Sequence, residues 1–258
     1  MSDSIVLKFG GASVAQPESF QFISEIISYR LKTFSKIAVV VSAMGNTTDE
    51  LIKLAHQVNE KPPQRELDML ISVGERMSIA LLAMALDKIK IKAVSFTGSQ
   101  SGIITTSDHS HAKIIDVKPK RLIPHLSNGY VVIVAGFQGM STSGEITTLG
   151  RGGSDTTAVA LASALNSSCV EFYKDVNGIY DCDPKLNKNA KRYSNLSYKE
   201  AYQLTFSGAK ILHHRCIAMA EKNALPLHVK PFADYKNQNS GTLIFSPGEK
   251  PAEPIYES

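Results

Sequence analysis

Aromatic residues and clustered positive charge are both scarce in this sequence. It contains no tryptophan, aromatic residues make up 7% of its 258 residues, and the formal net charge is only +4. Lysine and arginine form no run longer than the pairs Lys120-Arg121 and Lys191-Arg192. Surfaces that bind nucleic acid usually combine clustered positive charge with aromatic side chains on which bases stack. We therefore expect no nucleic-acid partner.

Cysteines are few in this sequence, and long hydrophobic runs are absent. The three cysteines, Cys169, Cys182 and Cys216, form no CxxC pair, and an odd number without paired spacing disfavours a disulfide framework or a zinc site. The longest apolar run, Ile79–Leu86, is far shorter than the ~20 residues that span a bilayer. The N-terminus shows no signal-peptide pattern. These features predict a cytoplasmic protein with no membrane partner.

What the chain does contain is an alternation of apolar strands and helices, with 43% hydrophobic residues. The runs Ile37–Val41 and Tyr130–Ala135 are continuously apolar, as is typical of strands buried on both faces. Ser19–Leu31 has the spacing of a helix that buries one face, and Gln64–Asp87 reads as one long apolar helix. The pattern predicts an α/β protein, a three-layer α/β/α sandwich with a mainly parallel central sheet, as a single domain over residues 1–258.

The first strand leads directly into a candidate phosphate site. Lys8 lies in an otherwise apolar strand, and an unpaired buried ammonium is costly, so its side chain is expected to point toward an anion. Gly10 and Gly11 allow the backbone amides to approach a ligand, and Ser13 adds a hydroxyl donor. An ordinary strand and turn with a lysine that reaches solvent is the alternative.

A second glycine-rich segment, Gly150–Asp155, precedes an apolar helix. Arg151 and the N-terminus of that helix form a second anion-binding place, and Ser154 or Asp155 is expected to cap the helix. A buried Asp155 requires a cation, for which Lys8 is the natural candidate. Small hydroxyl and glycine residues also follow the strands that end at residues 41, 96 and 135, and in a parallel sheet these ends share one edge.

Other positions leave two interpretations open. Gly74, which precedes Glu75 inside a predicted helix, indicates either close approach of a ligand or simple helix packing. Lys210 near a helix start needs an anionic partner or is solvated. His109 and His111 lack the neighbouring acids or cysteines of a metal site, so no metal site is expected. The segment after Ser246 is expected to be loose.

Several nucleotide-binding patterns are absent, namely GxxxxGK[ST], GxGxxG with a following acid, and the HRD and DFG marks of protein kinases. Five segments instead resemble, in order, the motifs of aspartate kinases of the amino acid kinase family. KFGGASV resembles KFGGTSV, VSAMGNTTD resembles VSAMGxTTD, and LGRGGSDTT matches its counterpart. Two further segments resemble the (T/S)DVxGIYxxDP and GAKVLHPR motifs. They are Lys8–Val14, Val41–Asp49, Leu149–Thr157, Lys174–Pro184 and Gly208–Arg215.

The resemblance implies transfer of the ATP γ-phosphoryl group to the β-carboxylate of L-aspartate, which opens the routes to lysine, diaminopimelate, threonine and methionine. It implies ATP and Mg²⁺ as cofactors. Lys8 matches the lysine that neutralises the transferring group, and Asp155 matches the aspartate that orients it. Arg151 corresponds to the residue that binds the substrate α-carboxylate, and Glu75 to the one that accepts the α-ammonium.

The remaining site residues also follow from the resemblance. The part before about residue 150 is expected to bind mainly aspartate, and the part after it mainly the nucleotide. Lys174 replaces a family Thr or Ser, and Lys185 stands where Arg is common, so both are expected to affect nucleotide affinity. The aspartate-pocket positions are Thr47, Phe137 and Ser154. The nucleotide positions are Gly10, Gly11, Ser13, Lys174, Asp175, Tyr180, Lys185 and Lys210.

The sequence also leads to expectations about the regulation of this chain and about its alternative functions. Aspartate kinases usually continue into C-terminal ACT domains, and we expect no ACT-based inhibition within this chain. A homodimer and a separate regulatory subunit stay open. So do a kinase of the same family that acts on acetylglutamate, glutamate or a nucleoside monophosphate, and a nucleotide- or amino-acid-sensing module without turnover.

Overall fold

An eight-stranded sheet forms the middle layer of the computed structural model, which describes residues 3–182, 187, 189–206, 212–237 and 240–257. Within this sheet, β11 and β12 pair antiparallel, and the other neighbouring pairs are parallel. In spatial order the strands are β10 (Asn195–Leu196), β12 (Thr242–Ile244), β11 (Leu227–Pro231), β9 (Val170–Lys174), β1 (Ser4–Phe9), β2 (Lys36–Val41), β6 (Val131–Ala135) and β3 (Ala93–Phe96).

Helices cover both faces of this sheet, which confirms the predicted three-layer α/β/α architecture. One face carries α1 (Pro17–Arg30) and α4 (Val73–Lys88), whose apolar side chains share a buried cluster with β1 and β2. The opposite face carries α5 (Leu122–Ser127), α6 (Gly153–Ala164) and α8 (His214–Lys222), with α7 (Tyr198–Phe206) beside α8. Continuous apolar strands are required here because each central strand is buried on two sides.

A second, four-stranded sheet lies beside the first, and the sequence did not predict it. Its strands in spatial order are β5 (Ile114–Val117), β4 (Ile103–Thr105), β7 (Gln138–Ser141) and β8 (Ile146–Thr148). Strand β4 lies within the stretch 97–110, whose glycine, serine and threonine content is typical of a loop. These strands are only three or four residues long, and the central β4–β7 pair joins distant parts of the chain. Such short runs carry little periodic signal.

The predicted long helix over Gln64–Asp87 is two helices, α3 (Gln64–Ile71) and α4, which meet at Ser72. The Ser72 carbonyl accepts a hydrogen bond from the Gln138 side chain at 2.8 Å. By length and composition, α3 and α4 together could cross a membrane. The buried core helix of a globular protein meets the same criterion. Leu82 and Leu86 are fully buried in the core beneath the sheet, as in a core helix.

The C-terminal segment is anchored, so the expectation of a loose tail is wrong. The Glu257 carboxylate accepts hydrogen bonds from Arg215 Nε at 2.6 Å and from the Ile114 amide at 2.9 Å. Ile255 exchanges two hydrogen bonds with the side chain of Asn223, which follows α8. Individual polar side chains, rather than an apolar pattern, hold this segment in place.

Candidate active site

A cavity of about 460 Å³ lies at the carboxyl ends of the central strands, where the sequence places its glycine and hydroxyl turns. It is bounded by β1, the turn after β2, the start of α4, the turn after β6 and the start of α6. Six of the predicted site residues line it, namely Lys8, Glu75, Phe137, Arg151, Ser154 and Asp155. The fold thus brings residues from four distant segments to one edge of the sheet.

Lys8 and Asp155 form the buried charged centre of the cavity. Lys8 Nζ lies 2.6 Å from Asp155 Oδ1, which confirms the predicted pairing, and both side chains are less than one tenth exposed. Lys174, at the end of β9, places its Nζ 3.6 Å from the other oxygen of Asp155. Two lysines therefore face one carboxylate, so this group of three side chains carries net positive charge.

The environment shifts the pKa values of both members of this pair. Burial lowers the pKa of the Lys8 ammonium, and the facing Asp155 carboxylate offsets only part of that effect. Burial alone would raise the pKa of Asp155, but Lys8 and Lys174 outweigh it and hold that pKa below its ordinary value of 3.8. The carboxylate therefore stays ionised and keeps a cation beside it.

Glu75 is a second buried carboxylate in the same cavity. Its Oε1 accepts a hydrogen bond from the Ala43 amide at 3.0 Å, while its buried Oε2 has no partner among the residues that the structure describes. Burial raises the pKa of Glu75 to about 7, against smaller lowering effects from the Ala43 amide and the charge of Lys8. An unsatisfied buried acceptor of this kind is suited to a ligand that brings a donor.

Gly74 explains how Glu75 reaches this position. A Cβ on Gly74 would lie 2.7 Å from the Cβ of Ala43, so the missing side chain lets α4 approach the turn after β2. Of the two interpretations left open by the sequence, the structure supports the packing glycine. The close packing in turn holds Glu75 against the Ala43 amide.

The glycine-rich segment before α6 differs from its predicted form in one respect. The helix begins at Gly153, and its cap is Gly152 with φ +73°, so neither Ser154 nor Asp155 is the cap. A side chain on Gly152 would collide with the ring of His213, which explains why the turn requires glycine. Ser154 and Asp155 instead lie in the first turn, and Arg151 is an exposed residue on the cavity lining.

The turn after β6 carries backbone strain at the cavity. Phe137 adopts φ +67°, a region that residues other than glycine rarely occupy. Its carbonyl accepts a hydrogen bond from the Leu149 amide at 2.9 Å, which ties this turn to the glycine-rich segment. The strain is maintained by the surrounding structure and fixes the aromatic ring on the cavity lining.

In the loop after β1, the polar side chain of Ser13 forms a hydrogen bond within the protein. The Ser13 hydroxyl donates to the Tyr173 carbonyl at 3.3 Å and so ties the loop to the end of β9. A Cβ on Gly10 would lie 3.4 Å from Lys8 Nζ. Gly11 has less room, because its Cβ would lie 3.1 Å from the Ala43 carbonyl oxygen. Both glycines thus leave space around the lysine and the neighbouring turn.

The remaining predicted residues lie off this cavity or cannot be placed. Thr47 begins α2 (Thr47–Val58), and its neighbour Thr48 is the residue that lines the cavity. Asp175 is exposed just after β9, and the backbone of Tyr180 is bridged to that of Arg192. Lys185 and Lys210, with the other residues of 183–186, 188 and 207–211, lie outside the described residues.

Several cavity residues have no counterpart among the predicted ones. They include Thr48, Ser110, His111 and Thr148, the last three from the second sheet and its loops. His109, which lies beside His111 in the sequence pattern, has its Nδ1 2.8 Å from the Asp68 carboxylate. Within the described ranges no three His, Cys, Asp or Glu side chains gather as metal ligands.

Comparison with known proteins places this fold and cavity in a family. The profile of the Amino acid kinase family matches residues 3–231. This match spans both glycine-rich segments and every residue that lines the cavity around Lys8 and Asp155. The chain belongs to the amino acid kinase family.

Several relatives of this chain are aspartokinases. The aspartokinase of Mycolicibacterium smegmatis is 50% identical over 241 residues, which cover 93% of this chain and 56% of that protein. The crystal structure of aspartate kinase from Synechocystis has a TM-score of 0.86 and 40% identity, and the match covers 99% of this chain and 42% of that one. Aspartokinase III of E. coli, solved with aspartate and ADP, has a TM-score of 0.82 and 27% identity over 95% of this chain and 65% of its own. The chain thus spans little more than half the length of the curated relatives that it matches.

Proposed function

We propose that this chain carries the catalytic part of an aspartate kinase, which transfers the γ-phosphoryl group of ATP to the β-carboxylate of L-aspartate and forms 4-phospho-L-aspartate and ADP. The observation that carries the proposal is the unpartnered Oε2 of the buried Glu75 in the cavity that Arg151 also lines, within the described part of the chain. A carboxylate and a guanidinium together match the ammonium and carboxylate groups of a free amino acid. The complex of the E. coli relative with aspartate and ADP supports the same pair of ligands.

The charge distribution suits phosphoryl transfer to a carboxylate. The acceptor is already ionised, so the reaction needs no strong base but does need two anions held in line and their repulsion cancelled. Lys8 supplies a fixed positive charge, and Asp155 holds it in place at 2.6 Å. Lys174 adds a second cation on the side of β9. Because Lys8 is buried, its charge acts more strongly on a bound phosphate than it would in water.

Mg²⁺ enters this proposal as the ion of the MgATP substrate. Mg²⁺ usually keeps several waters and binds substrate phosphates rather than a dedicated protein cage. Asp155 is already engaged by Lys8 and by Lys174. The ion would neutralise phosphate charge, while the protein positions the two substrates.

The two substrates are assigned to the two parts of the chain. Aspartate binding is assigned mainly to residues before about 150, and nucleotide binding mainly to those after, as in the family motifs. The aspartate residues are Thr47, Glu75, Phe137, Arg151 and Ser154. The nucleotide residues are Gly10, Gly11, Ser13, Lys174, Asp175, Tyr180, Lys185 and Lys210.

The biological setting is part of the proposal. The reaction would begin the routes to lysine, diaminopimelate, threonine and methionine in the cytoplasm, where thiols such as those of Cys169, Cys182 and Cys216 stay reduced.

Trapping of the acyl phosphate tests the proposal. Purified protein is incubated with MgATP, L-aspartate and hydroxylamine, and both ADP and aspartyl hydroxamate are measured. We expect both products in wild type and a loss of about a hundredfold or more in Lys8→Ala, since a fixed charge at the transfer site contributes that much. Lys53→Ala, at an exposed lysine on α2, is the matched control and should keep wild-type rates.

Rival substrates run beside aspartate in the same assay. Turnover of acetylglutamate, glutamate or a nucleoside monophosphate in place of aspartate would assign the chain another activity of the family. Saturable binding of ATP or aspartate without any turnover would favour a sensing module.

A further inference from the structure

Asp68, on α3, is a fully buried carboxylate that the proposed chemistry does not use. Its exposure is 0%, and it is not among the residues that line the cavity. A buried carboxylate is tolerated only when hydrogen bonds or ion pairs replace the water that it loses. The partners of Asp68 therefore indicate what it holds in place.

Six hydrogen bonds converge on this carboxylate from two other segments. Oδ1 accepts from the hydroxyls of Thr148 at 2.6 Å and Ser110 at 3.1 Å. Oδ2 accepts from the Thr148 amide at 3.1 Å and pairs with His109 Nδ1 at 2.8 Å. The Ser110 amide is shared between both oxygens, at 3.1 and 3.0 Å. One side chain thus joins α3 to the loop before β5 and to the end of β8.

These joined segments form one wall of the cavity. Ser110, His111 and Thr148 line it directly, and Leu67 and Ile71 line it from α3 on either side of Asp68. Thr148 also leads within three residues to Arg151, the residue assigned to the substrate carboxylate. A displacement of the wall would therefore move the groups that surround the amino-acid substrate.

We propose that Asp68 is a positioning residue for the amino-acid substrate, because it holds the cavity wall formed by Ser110, His111 and Thr148 in its binding geometry. The inference rests on the proposed function in taking L-aspartate as the ligand. Asparagine at this position would replace one of the two acceptor oxygens by an NH₂ group, so the six hydrogen bonds could not all be kept. The wall would shift while Lys8, Lys174 and the nucleotide side of the sheet stay in place.

Steady-state kinetics of Asp68→Asn, with the hydroxylamine trap, test this role. We expect the KM for L-aspartate to rise about tenfold or more, because small displacements of binding groups have effects of that size, and the KM for MgATP to stay within about twofold. Asn223→Ala is the matched control. Asn223 is another buried polar residue that joins two segments, α8 and the C-terminal segment, but it does not line the cavity. Its replacement should lower stability and leave both KM values unchanged.

A second variant and a second measurement cover the case in which Asp68→Asn does not fold. His109→Ala keeps the carboxylate and removes one donor that does not line the cavity, and we expect a smaller rise in the KM for aspartate, about threefold, with the same selectivity. Hydrogen–deuterium exchange of the ligand-free protein should show faster exchange at residues 108–111 in both variants and not in Asn223→Ala.

The outcomes separate this inference from the proposed function. If wild type phosphorylates aspartate while both variants keep its KM for aspartate, or raise the KM for MgATP equally, Asp68 is merely structural and the inference is wrong. If wild type does not phosphorylate aspartate at all, the proposed function fails. The exchange data then still report whether Asp68 holds the wall.

Discussion

Glu75 is the residue whose environment differs most from what an acidic side chain normally finds. It lies in the first turn of α4, where a negative charge suits the helix dipole, yet it is only 2% exposed. Burial outweighs the hydrogen bond from Ala43 and the charge of Lys8. A ligand ammonium that reaches Oε2 through the cavity would favour the charged form again.

A prediction about stability follows for Glu75→Gln. Because the pKa of Glu75 rises from 4.5 to about 7 on folding, the folded protein holds a proton that the unfolded chain has released between these values. This contribution to stability is complete below the unfolded pKa and is lost as the pH rises through the folded pKa. We expect the stability of wild type relative to Glu75→Gln to fall by on the order of 3 kcal/mol between about pH 5 and about pH 8.

Urea denaturation of the ligand-free proteins at the two pH values measures this difference. Glu60→Gln, at an exposed position after α2, is the matched control for the chemical change. A difference between wild type and Glu75→Gln that does not vary with pH would contradict the prediction.

Among the secondary-structure elements, α6 depends at its start on a glycine with a left-handed backbone. Gly152→Ala should destabilise the protein by about 3 kcal/mol or more, since strain at φ +73° adds to the collision with His213. Gly129 is a close comparison because it has φ +74° but no heavy atom within 4 Å of a Cβ. Gly129→Ala should therefore cost only about 1 kcal/mol.

Thermal and urea unfolding of the two glycine variants tests that difference. Similar losses in both would show that backbone strain alone, without the contact with His213, governs the turn. Activity adds a second measure, because Gly152, unlike Gly129, lies between Arg151 and Asp155 on the cavity lining.

The anchored C-terminal segment leads to another prediction for an element. Arg215 donates to both oxygens of Glu257 and to the carbonyls of Leu149 and Ala112, so it joins the C-terminal segment to the glycine-rich turn. Glu257→Ala should lower the free energy of unfolding by about 2 kcal/mol, because it leaves a largely buried guanidinium without its bidentate partner.

Hydrogen–deuterium exchange should also show faster exchange at residues 149–153 in Glu257→Ala. Glu253→Ala, at an exposed position of the same segment, is the control and should leave both stability and exchange unchanged. Wild-type protection of the turn in Glu257→Ala would mean that the C-terminal segment does not reach it through Arg215.

In the molecule as a whole, the two parts assigned to different substrates share one sheet. Strand β1 from the N-terminal part lies between β2 and β9, and β9 belongs to the C-terminal part. Without the other part, each part would lack a strand that pairs with its own central strand. We therefore expect a single cooperative unfolding transition.

Far-UV circular dichroism and tyrosine fluorescence should report that transition at the same urea concentration. Tyrosine is the available fluorophore because the chain has no tryptophan. Tyr173, fully buried on β9, reports on the junction between the parts. Two separate transitions would show that the parts unfold independently.

The class of fold and the centre of the site could both be predicted from the order of the amino acids. Continuous apolar runs identify β2 and β6 because a strand buried on both faces tolerates little else. The pairing of Lys8 with Asp155 follows from the cost of burying either charge alone, and the structure shows it at 2.6 Å. The inference about the strands depends on a local sequence pattern. The inference about the pair depends on a requirement that holds for any buried charge.

The second sheet, the break at Ser72, the anchored C-terminal segment and the hydrogen bonds of Asp68 became visible only in the folded chain. Each depends on contacts between residues that are far apart in the sequence, as Asp68 and Thr148 are, 80 positions from one another. A short polar strand or a single buried carboxylate has no periodic pattern that marks it. Its place is set by the donors that the rest of the fold brings to it, because a buried polar group is stable only where such partners meet.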